Sequence, residues 1–291
     1  AKRLATVKDD EDRHNYAYVF YGDTFFETSK DPKWSGMGHE MIAFTHYYIV
    51  ENGESFYLHA GESVPIENYE VPRVHHNYKE TSDDKADWNR LMNAIADGIS
   101  SGEMTKVVSS REVEFTSETP YNVASILANL VDNNPNCFIF GYEKDGRTFV
   151  GASPEILVRH RGSEILSYAL AGTAPKDGPN AWTKEQLLTS EKNLVEHNIV
   201  LDRIVNTMKQ ITPDVTVGET GIMELSHLYH LRTIIIAKDS TKSLVEWAKI
   251  LHPTPALGGE PREKALALLQ EYESHERGMY AAPFGFMKDM G

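Results

Sequence analysis

The N-terminal part of the chain alternates aromatic and polar residues with the period of a β-strand. The alternation recurs in three segments, namely 16–22 (YAYVFYG), 41–50 (MIAFTHYYIV) and 54–60 (ESFYLHA). Because this pattern is typical of strands, the three segments predict an antiparallel sheet. Residues 63–84 contain two prolines and many polar side chains, so we expect them to form a surface connection.

From Lys85 onwards the hydrophobic positions recur every three or four residues, which is the period of an α-helix. The first such stripe consists of Trp88, Leu91, Ile95 and Ile99, and Gly102 follows as a stop signal. Further helices are predicted at 121–134, roughly 182–211, 243–252 and 260–273. Strands are predicted at 105–115, 137–143, 147–153, 155–160, 164–170 and 231–237. Strands in runs mixed with helices, without regular βαβ alternation, predict an α+β fold.

Length and composition indicate a globular, acidic chain. The 291 residues are 41% hydrophobic and 25% charged. No run approaches about 18 apolar residues, so no membrane span is expected. The first 14 residues lack the apolar segment of a signal peptide. The single cysteine excludes an internal disulfide framework and favours a reducing cytoplasm.

The net charge of −14 limits the classes of partner. A nucleic-acid partner is not expected, because no basic stripe offsets the acidity. An anionic small substrate would need a local cation or a bound metal. Common cofactor motifs, such as a P-loop or a dinucleotide-binding glycine fingerprint, do not occur.

Two ionisable residues near predicted strands are candidates for acid–base chemistry. Lys106 shares a strand face with mostly polar residues, so it is either a surface charge or a base beside a buried substrate. Glu155 follows Pro154 and begins an otherwise apolar strand. It is either an edge charge or a buried acid with a raised pKa.

Three further segments could bind a metal or a substrate. Glu196 lies almost opposite the main apolar stripe of its predicted helix, so it is either solvated or a metal ligand. Gly172 and Thr173 in the segment AGT could hold a carboxylate through main-chain N–H groups. The segment HPTPALGG (252–259) is either a loop that shapes a pocket or a structural turn between helices.

Taken together, these segments resemble the chorismate-binding enzymes. The markers, in chain order, are KVVSSR, GASPE, ALAGT, SEKNLVEHNIV, HL, LHPTPALGG and ERGMYAAPFG, and they span about Lys85 to Gly285. The family includes isochorismate synthases, salicylate synthases and the large chains of anthranilate and aminodeoxychorismate synthases. The resemblance implies a single domain over 1–291, with N-terminal strands in 1–84 and the catalytic motifs in 85–291. It also implies two packed antiparallel sheets with outer helices, a monomer, chorismate as substrate and Mg²⁺ as cofactor.

Within the family, the residues favour isochorismate synthase. Members that add water or eliminate pyruvate resemble this chain in having lysine at the position of Lys106, where anthranilate synthases usually have glutamine. Aminodeoxychorismate synthases typically have lysine where this chain has Ala171. Salicylate synthases usually have threonine at the position of Ala256. Salicylate synthase, a siderophore-pathway isochorismate synthase and a non-catalytic chorismate-binding protein remain alternatives to a synthase for menaquinone.

The resemblance also implies roles for individual residues. Lys106 would be the general base for a water that attacks C2 of the ring, and Glu155 would be the general acid for the departing C4 hydroxyl. Lys106 must then be partly uncharged and Glu155 partly protonated, with burial raising the pKa of Glu155. Glu196 would bind Mg²⁺. The remaining implied substrate residues are Gly172 and Thr173 for a carboxylate, and His230, Ala256 and Leu257 for the ring pocket.

The C-terminal end departs from the family pattern. Family members continue past APFGF with an IR-x-A strand, a glycine-rich GAGI loop and an acidic E-x-E helix, which supply a substrate arginine and a second Mg²⁺ glutamate. The sequence ends at Gly291 without these motifs. We therefore expect this chain, as written, to lack part of the site.

Overall fold

The computed structural model describes residues 5–6, 18–28, 30–51, 53–65, 70–82 and 84–288. The chain divides into two compact units, one formed by residues 1–70 with 278–291 and the other by 71–277. The single-domain assignment stays a prediction. The prediction that residues 1–14 are not a signal peptide falls almost entirely outside the described residues, as do the first two residues of the segment 16–22.

The described residues of the first unit form two small sheets. Its strands are β1 (Ala5–Thr6), β2 (Val19–Gly22), β3 (Glu40–Ala43), β4 (His46–Glu51), β5 (Glu54–His59) and β17 (Phe284–Met287). One sheet has the order β1-β5-β4, with β1 parallel to β5, and the other has the antiparallel order β17-β2-β3. The predicted N-terminal strands are confirmed, but segment 41–50 contains two strands instead of one. The prediction of one antiparallel sheet is wrong, because the strands divide between two sheets.

The second unit contains only antiparallel pairings among its described strands. These strands are β6 (Tyr78–Glu80), β7 (Lys106–Val107), β8 (Phe115–Ser117), β9 (Phe138–Lys144), β10 (Arg147–Ser153), β11 (Arg159–Arg161), β12 (Glu164–Pro175), β13 (Val215–Val217), β14 (Gly221–Glu224), β15 (Leu228–Lys238) and β16 (Gly259–Glu260). The largest sheet has the order β11-β12-β15-β13, with β14 also paired to β15. Three two-stranded sheets are formed by β10 with β9, β16 with β7, and β6 with β8.

Six α-helices lie in the described part of the second unit. They are α1 (Lys85–Ser100), α2 (Val123–Asn133), α3 (Lys184–Leu188), α4 (Glu191–Lys209), α5 (Leu244–Leu251) and α6 (Arg262–Tyr272). A side-chain cap at the N-terminus supports four of them, from Asn122, Thr183, Ser190 and Ser243. The predicted α+β class with antiparallel sheets is confirmed.

The main hydrophobic core lies between the long strands β12 and β15 and the helices α4 and α5. Its fully buried members include Ile165, Ala169, Val200, Met208, Ile235 and Trp247. Buried positions alternate along β15, as expected for a strand with one face on the core. Burial of each large apolar side chain contributes about 1.5–3 kcal/mol, so this core holds α4 firmly against the sheet.

The predicted strand 105–115 is wrong for most of its length. Within it only β7 and the first residue of β8 are in strands. The partner strand β16 offers only two residues, so the hydrogen-bonded ladder is short. Further on, the backbone N–H of Ser110 donates to the carboxylate of Glu273 at 2.8 Å instead of to a strand.

Two other element boundaries also differ from the prediction. The strand predicted at 155–160 begins only at Arg159, after a non-strand segment that follows Pro154. The helix predicted at 182–211 is two helices, α3 and α4. The break occurs because the Ser190 hydroxyl accepts the N–H of Asn193 and starts a new helix.

Candidate active site

One face of α4 carries three polar side chains toward β12 and β7. Asn193, Glu196 and His197 lie three and four residues apart, which places them on the same side of the helix. Asn193 and His197 are buried, whereas the Glu196 side chain is 34% exposed. The rest of the candidate site is arranged around this face.

Lys106 and Glu196 form an ion pair across 90 positions of sequence. The Lys106 Nζ donates to Glu196 Oε1 at 2.8 Å, and the Lys106 side chain is only 11% exposed. Lys192, one helical turn before Glu196, lies 3.7 Å from the other carboxylate oxygen. Burial of the Glu196 carboxyl raises its pKa, but the hydrogen bonds and charges of Lys106 and Lys192 together outweigh burial and lower the pKa below its usual value. The surface-charge interpretation of Lys106 is therefore wrong, and so is the fully solvated interpretation of Glu196.

Glu155 lies in the segment between β10 and β11, where the chain leaves one sheet and enters another. Its backbone N–H is 3.3 Å from the Ser153 hydroxyl, which accepts from it. Burial raises the pKa of the Glu155 carboxyl to about 7. The sequence left a choice between an edge charge and a buried acid, and the structure has a partly buried acid with a raised pKa.

Gly172 forms a β-bulge in β12, at the centre of the AGT segment. Ala171 and Thr173 have partners in β15, and Gly172 between them has none. Gly172 adopts a φ of 79°, and a Cβ atom there would lie 2.9 Å from the carbonyl oxygen of Asn193. Both the positive φ and the close approach of α4 require glycine at this position.

Side chains of α4 hold the backbone on both sides of this bulge. The Thr173 N–H donates to Asn193 Oδ1 at 3.3 Å, and the His197 ring donates from Nδ1 to the Ala171 carbonyl at 3.1 Å. His197 Nε2 lies 2.8 Å from the Thr233 hydroxyl, and burial lowers the pKa of His197. The bulge is therefore fixed by the helix as well as by the sheet.

Thr173 and His230 face each other across β12 and β15. They are direct cross-strand partners, and the Thr173 hydroxyl lies 2.8 Å from His230 Nδ1. Burial lowers the pKa of His230, which favours the neutral imidazole. A neutral ring and an exposed hydroxyl form a polar pair that could donate to a substrate carboxylate.

Ala256 and Leu257 belong to the loop between α5 and β16. Ala256 packs against the main hydrophobic core, and the Leu257 N–H donates to the Thr254 carbonyl. The next residue of the loop, Gly258, accepts the Val108 N–H at 2.9 Å, which ties this loop to the segment after Lys106.

The structure brings some of the predicted residues together and leaves others apart. Lys106 contacts Glu196, and Thr173 contacts His230. Among the described residues, the Glu155 side chain has no hydrogen bond or ion pair to the other candidates.

Sequence reasoning missed four buried polar residues around the site. They are Asn193, His197, Glu273 and Arg277. The available signal was spacing, since Asn193 precedes Glu196 by three residues and His197 by four, and Glu273 precedes Arg277 by four residues.

Among the candidate site residues that the structure describes, Glu196 provides one carboxylate for a metal ion, and a full set of protein ligands is not present. Within the described ranges, no group of three or more His, Cys, Asp or Glu side chains could hold a metal. Mg²⁺ commonly binds through one or two carboxylates together with water and substrate oxygens. Glu196, half-buried and ionised, fits one such ligand position.

The sequence is similar to proteins of one known family. The family described as chorismate binding enzyme matches residues 62–291. The chain is 36% identical over 210 residues to isochorismate synthase MenF of Bacillus subtilis. The aligned region covers 70% of this chain and 44% of that protein. It is 29% identical over 206 residues to isochorismate synthase DhbC of the same organism, covering 66% of this chain and 52% of that protein.

A solved structure supports the same fold. The menaquinone-specific isochorismate synthase MenF from Escherichia coli superposes with a TM-score of 0.79 at 24% identity, over 94% of this chain and 67% of that chain. The chain spans about half the length of the curated relatives it matches. None of the helices that the structure describes is long and apolar enough to cross a membrane.

Proposed function

Because the chain belongs to the chorismate-binding enzyme family, we propose that the protein containing it is a Mg²⁺-dependent isochorismate synthase. Both curated relatives compared above are named isochorismate synthases. The reaction adds the oxygen of a water molecule at C2 of chorismate and releases the C4 hydroxyl, so the product is an isomer of the substrate.

The observation that carries the proposal is the position of Glu155 in the partly buried segment between β10 and β11, where burial raises the pKa of its carboxyl to about 7. A general acid must hold a proton at the working pH and release it in the transition state, so a pKa near 7 is well matched to this role. An ordinary surface glutamate would be ionised and could not protonate a leaving hydroxyl. Glu155 is therefore assigned as the acid that protonates the C4 oxygen while the C4–O bond breaks.

Lys106 is assigned as the base. Its amine takes a proton from the attacking water while the new C2–O bond forms and the ring double bonds shift toward C4. In this structure the Lys106 ammonium donates to Glu196, so the amine must first lose its proton before it can accept one. After turnover Lys106 holds one extra proton and Glu155 lacks one, and exchange with solvent restores both.

Substrate binding is assigned to the bulge and the strand beside it. Gly172 has no register partner in β15, and we assign its N–H to a substrate carboxylate. The hydroxyl of Thr173 and the ring of His230 add two polar groups at the same place. The assignment of Ala256 and Leu257 to the ring pocket stays a prediction.

Mg²⁺ is part of the proposal, with Glu196 as one of its ligands. When bound, the ion supplies positive charge that balances a dicarboxylate substrate on an acidic protein. Lys106 occupies one oxygen of Glu196, so the ion and the ammonium compete for the same carboxylate. We further propose that the enzyme works in the cytoplasm as a monomer and feeds menaquinone synthesis, the role named for the Escherichia coli enzyme of the same fold.

A product assay tests the proposal. The complete protein is incubated with chorismate and MgCl₂, and the products are separated by liquid chromatography. We expect isochorismate as the main product, none after chelation with EDTA, and a strongly lowered but measurable rate from a Lys106→Ala control. Salicylate with pyruvate would identify a salicylate synthase instead. Binding of chorismate without any product would favour the non-catalytic alternative.

A further inference from the structure

A buried ion pair lies directly behind the segment that carries Lys106. Glu273 and Arg277 have side chains that are only 2% and 1% exposed. The guanidinium meets the carboxylate with two hydrogen bonds, from Nε to Oε2 at 2.8 Å and from Nη2 to Oε1 at 2.6 Å. Two parallel bonds of this kind fix orientation as well as distance.

The same guanidinium also donates to two backbone carbonyls. Nη2 donates to Val108, two residues after Lys106, at 2.7 Å, and Nη1 donates to Leu257 at 2.8 Å. Arg277 therefore bridges the Lys106 segment and the loop between α5 and β16. Lysine at this position could not reproduce the contacts, because it lacks the rigid fork of donors.

Glu273 holds the Lys106 segment from the other side. Its Oε1 atom accepts the Ser110 backbone N–H at 2.8 Å and the Ser110 hydroxyl at 3.0 Å. The Ser110 hydroxyl also lies 2.9 Å from His275 Nε2. The backbone bond from Val108 to Gly258 is the last contact with the neighbouring chain, and beyond it these side-chain contacts replace the strand ladder.

We propose that Arg277 and Glu273 are positioning residues for Lys106. A buried ion pair is a weak source of net stability, because desolvation of both charges offsets their attraction. Its additional hydrogen bonds to Val108, Ser110 and Leu257 instead set where the Lys106 segment runs relative to the loop. A displacement of about 1 Å at a reacting group can cost on the order of 100-fold in rate. This inference rests on the proposed function, in which Lys106 is the base.

A double-mutant cycle tests the proposal in the complete protein. We expect Arg277→Lys to lower kcat by about 10- to 100-fold with little change in KM, because the base and not the substrate is misplaced. In a Lys106→Ala background the same substitution should have almost no further effect. An equal loss of kcat in both backgrounds would overturn the proposal, since a general structural defect does not depend on Lys106.

A labelling experiment separates this proposal from the proposed function. Lys106 is modified with an amine-reactive reagent in the folded protein, and its rate is compared by mass spectrometry with that of Lys192, which is 83% exposed. Arg277→Lys should raise the Lys106 rate several-fold and leave the Lys192 rate unchanged. An unchanged Lys106 rate would contradict the positioning role even if the protein proved to catalyse another reaction.

Two further variants complete the test, one as a control and one as a substitute for Arg277→Lys. Asp239→Asn is the matched control, because Asp239 is also buried and accepts hydrogen bonds from Thr241 and Trp247. It should lower Tm yet leave kcat and the Lys106 labelling rate unchanged. If Arg277→Lys does not fold, Ser110→Ala removes one contact to Glu273 and should lower kcat by about two- to fivefold, again only when Lys106 is present. Loss of kcat in proportion to Tm across all variants would refute the proposal.

Discussion

Glu155 and Glu196 carry the same carboxyl group, yet their surroundings move its pKa in opposite directions. Burial raises the pKa of Glu155 to about 7. Burial also raises the pKa of Glu196, but the hydrogen bonds and charges of Lys106 and Lys192 together outweigh burial, and the pKa is lowered. Glu155 has no such cation among the causes of its shift, so burial alone sets the direction there. The first carboxyl is suited to give a proton, and the second is suited to bind a cation.

The largest effect is expected from Glu155→Gln. The amide keeps the size of the side chain but cannot deliver a proton to the departing hydroxyl. We expect kcat to fall by about 10²- to 10⁴-fold, as measured by isochorismate formation. Glu164→Gln is the matched control, because Glu164 is exposed at the start of β12. A Glu155→Gln enzyme with more than about a tenth of wild-type activity would remove Glu155 from the mechanism.

The raised pKa of Glu155 also makes stability depend on pH. Between pH 4.5 and about 7 the folded state keeps the Glu155 proton and the unfolded state releases it. The free energy of unfolding therefore falls as pH rises through this window, by about 3 kcal/mol at most. Urea denaturation at several pH values should show this fall in the wild type. The difference between wild type and Glu155→Gln should then change with pH, and a constant difference would contradict the raised pKa.

A smaller effect is expected from Asn193→Ala, on the same helix face as Glu196. The substitution leaves the Thr173 N–H without its side-chain acceptor and should cost about 1–3 kcal/mol in the free energy of unfolding. The pKa of Glu196 should not change, because Lys106 is untouched. Asn206→Ala, an exposed position on the same helix, provides the control and should be neutral. Equal losses from both variants would count against the role of Asn193 at the bulge.

The smallest change in stability is expected from Lys106→Met. This variant tests directly whether Lys106 lowers the pKa of Glu196. Removal of the Lys106 ammonium leaves burial of Glu196 opposed only by Lys192, so the pKa of Glu196 should rise. The free energy of unfolding should change by about 1 kcal/mol or less, because the pair is partly exposed. Carbon-13 NMR titration of glutamate carboxyls measures the pKa. Lys192→Met should give a smaller rise, since Lys192 is farther from the carboxylate.

Local patterns were sufficient for most of the helices and for the long strands. The stripe from Trp88 to Ile99 predicted α1, and the apolar run around Ile235 predicted β15. These elements follow from periodicity and burial within a short stretch of chain. The break between α3 and α4 could also have been found, because Ser190 is a favoured N-cap residue.

The segment around Lys106 could not be predicted in the same way. Its short strand pairs with residues more than 150 positions later, and Ser110 is held by Glu273 on another element. Strand alternation assigned the wrong environment to Lys106 because its partner, Glu196, is distant in sequence. Likeness to a known family identified Lys106, Glu155 and Glu196 as candidates, but the ion pair between Lys106 and Glu196 became evident only in three dimensions.

Three polar side chains of the site lie on one face of the single helix α4. Asn193, Glu196 and His197 depend on one helical phase, and each added residue turns a helix by about 100°. One residue inserted between Asn193 and Glu196 would therefore rotate one part of this face away from the other. The same helix could then no longer hold the bulge at Gly172 and also form the ion pair with Lys106. Length between these positions is thus constrained as strictly as the identity of the side chains.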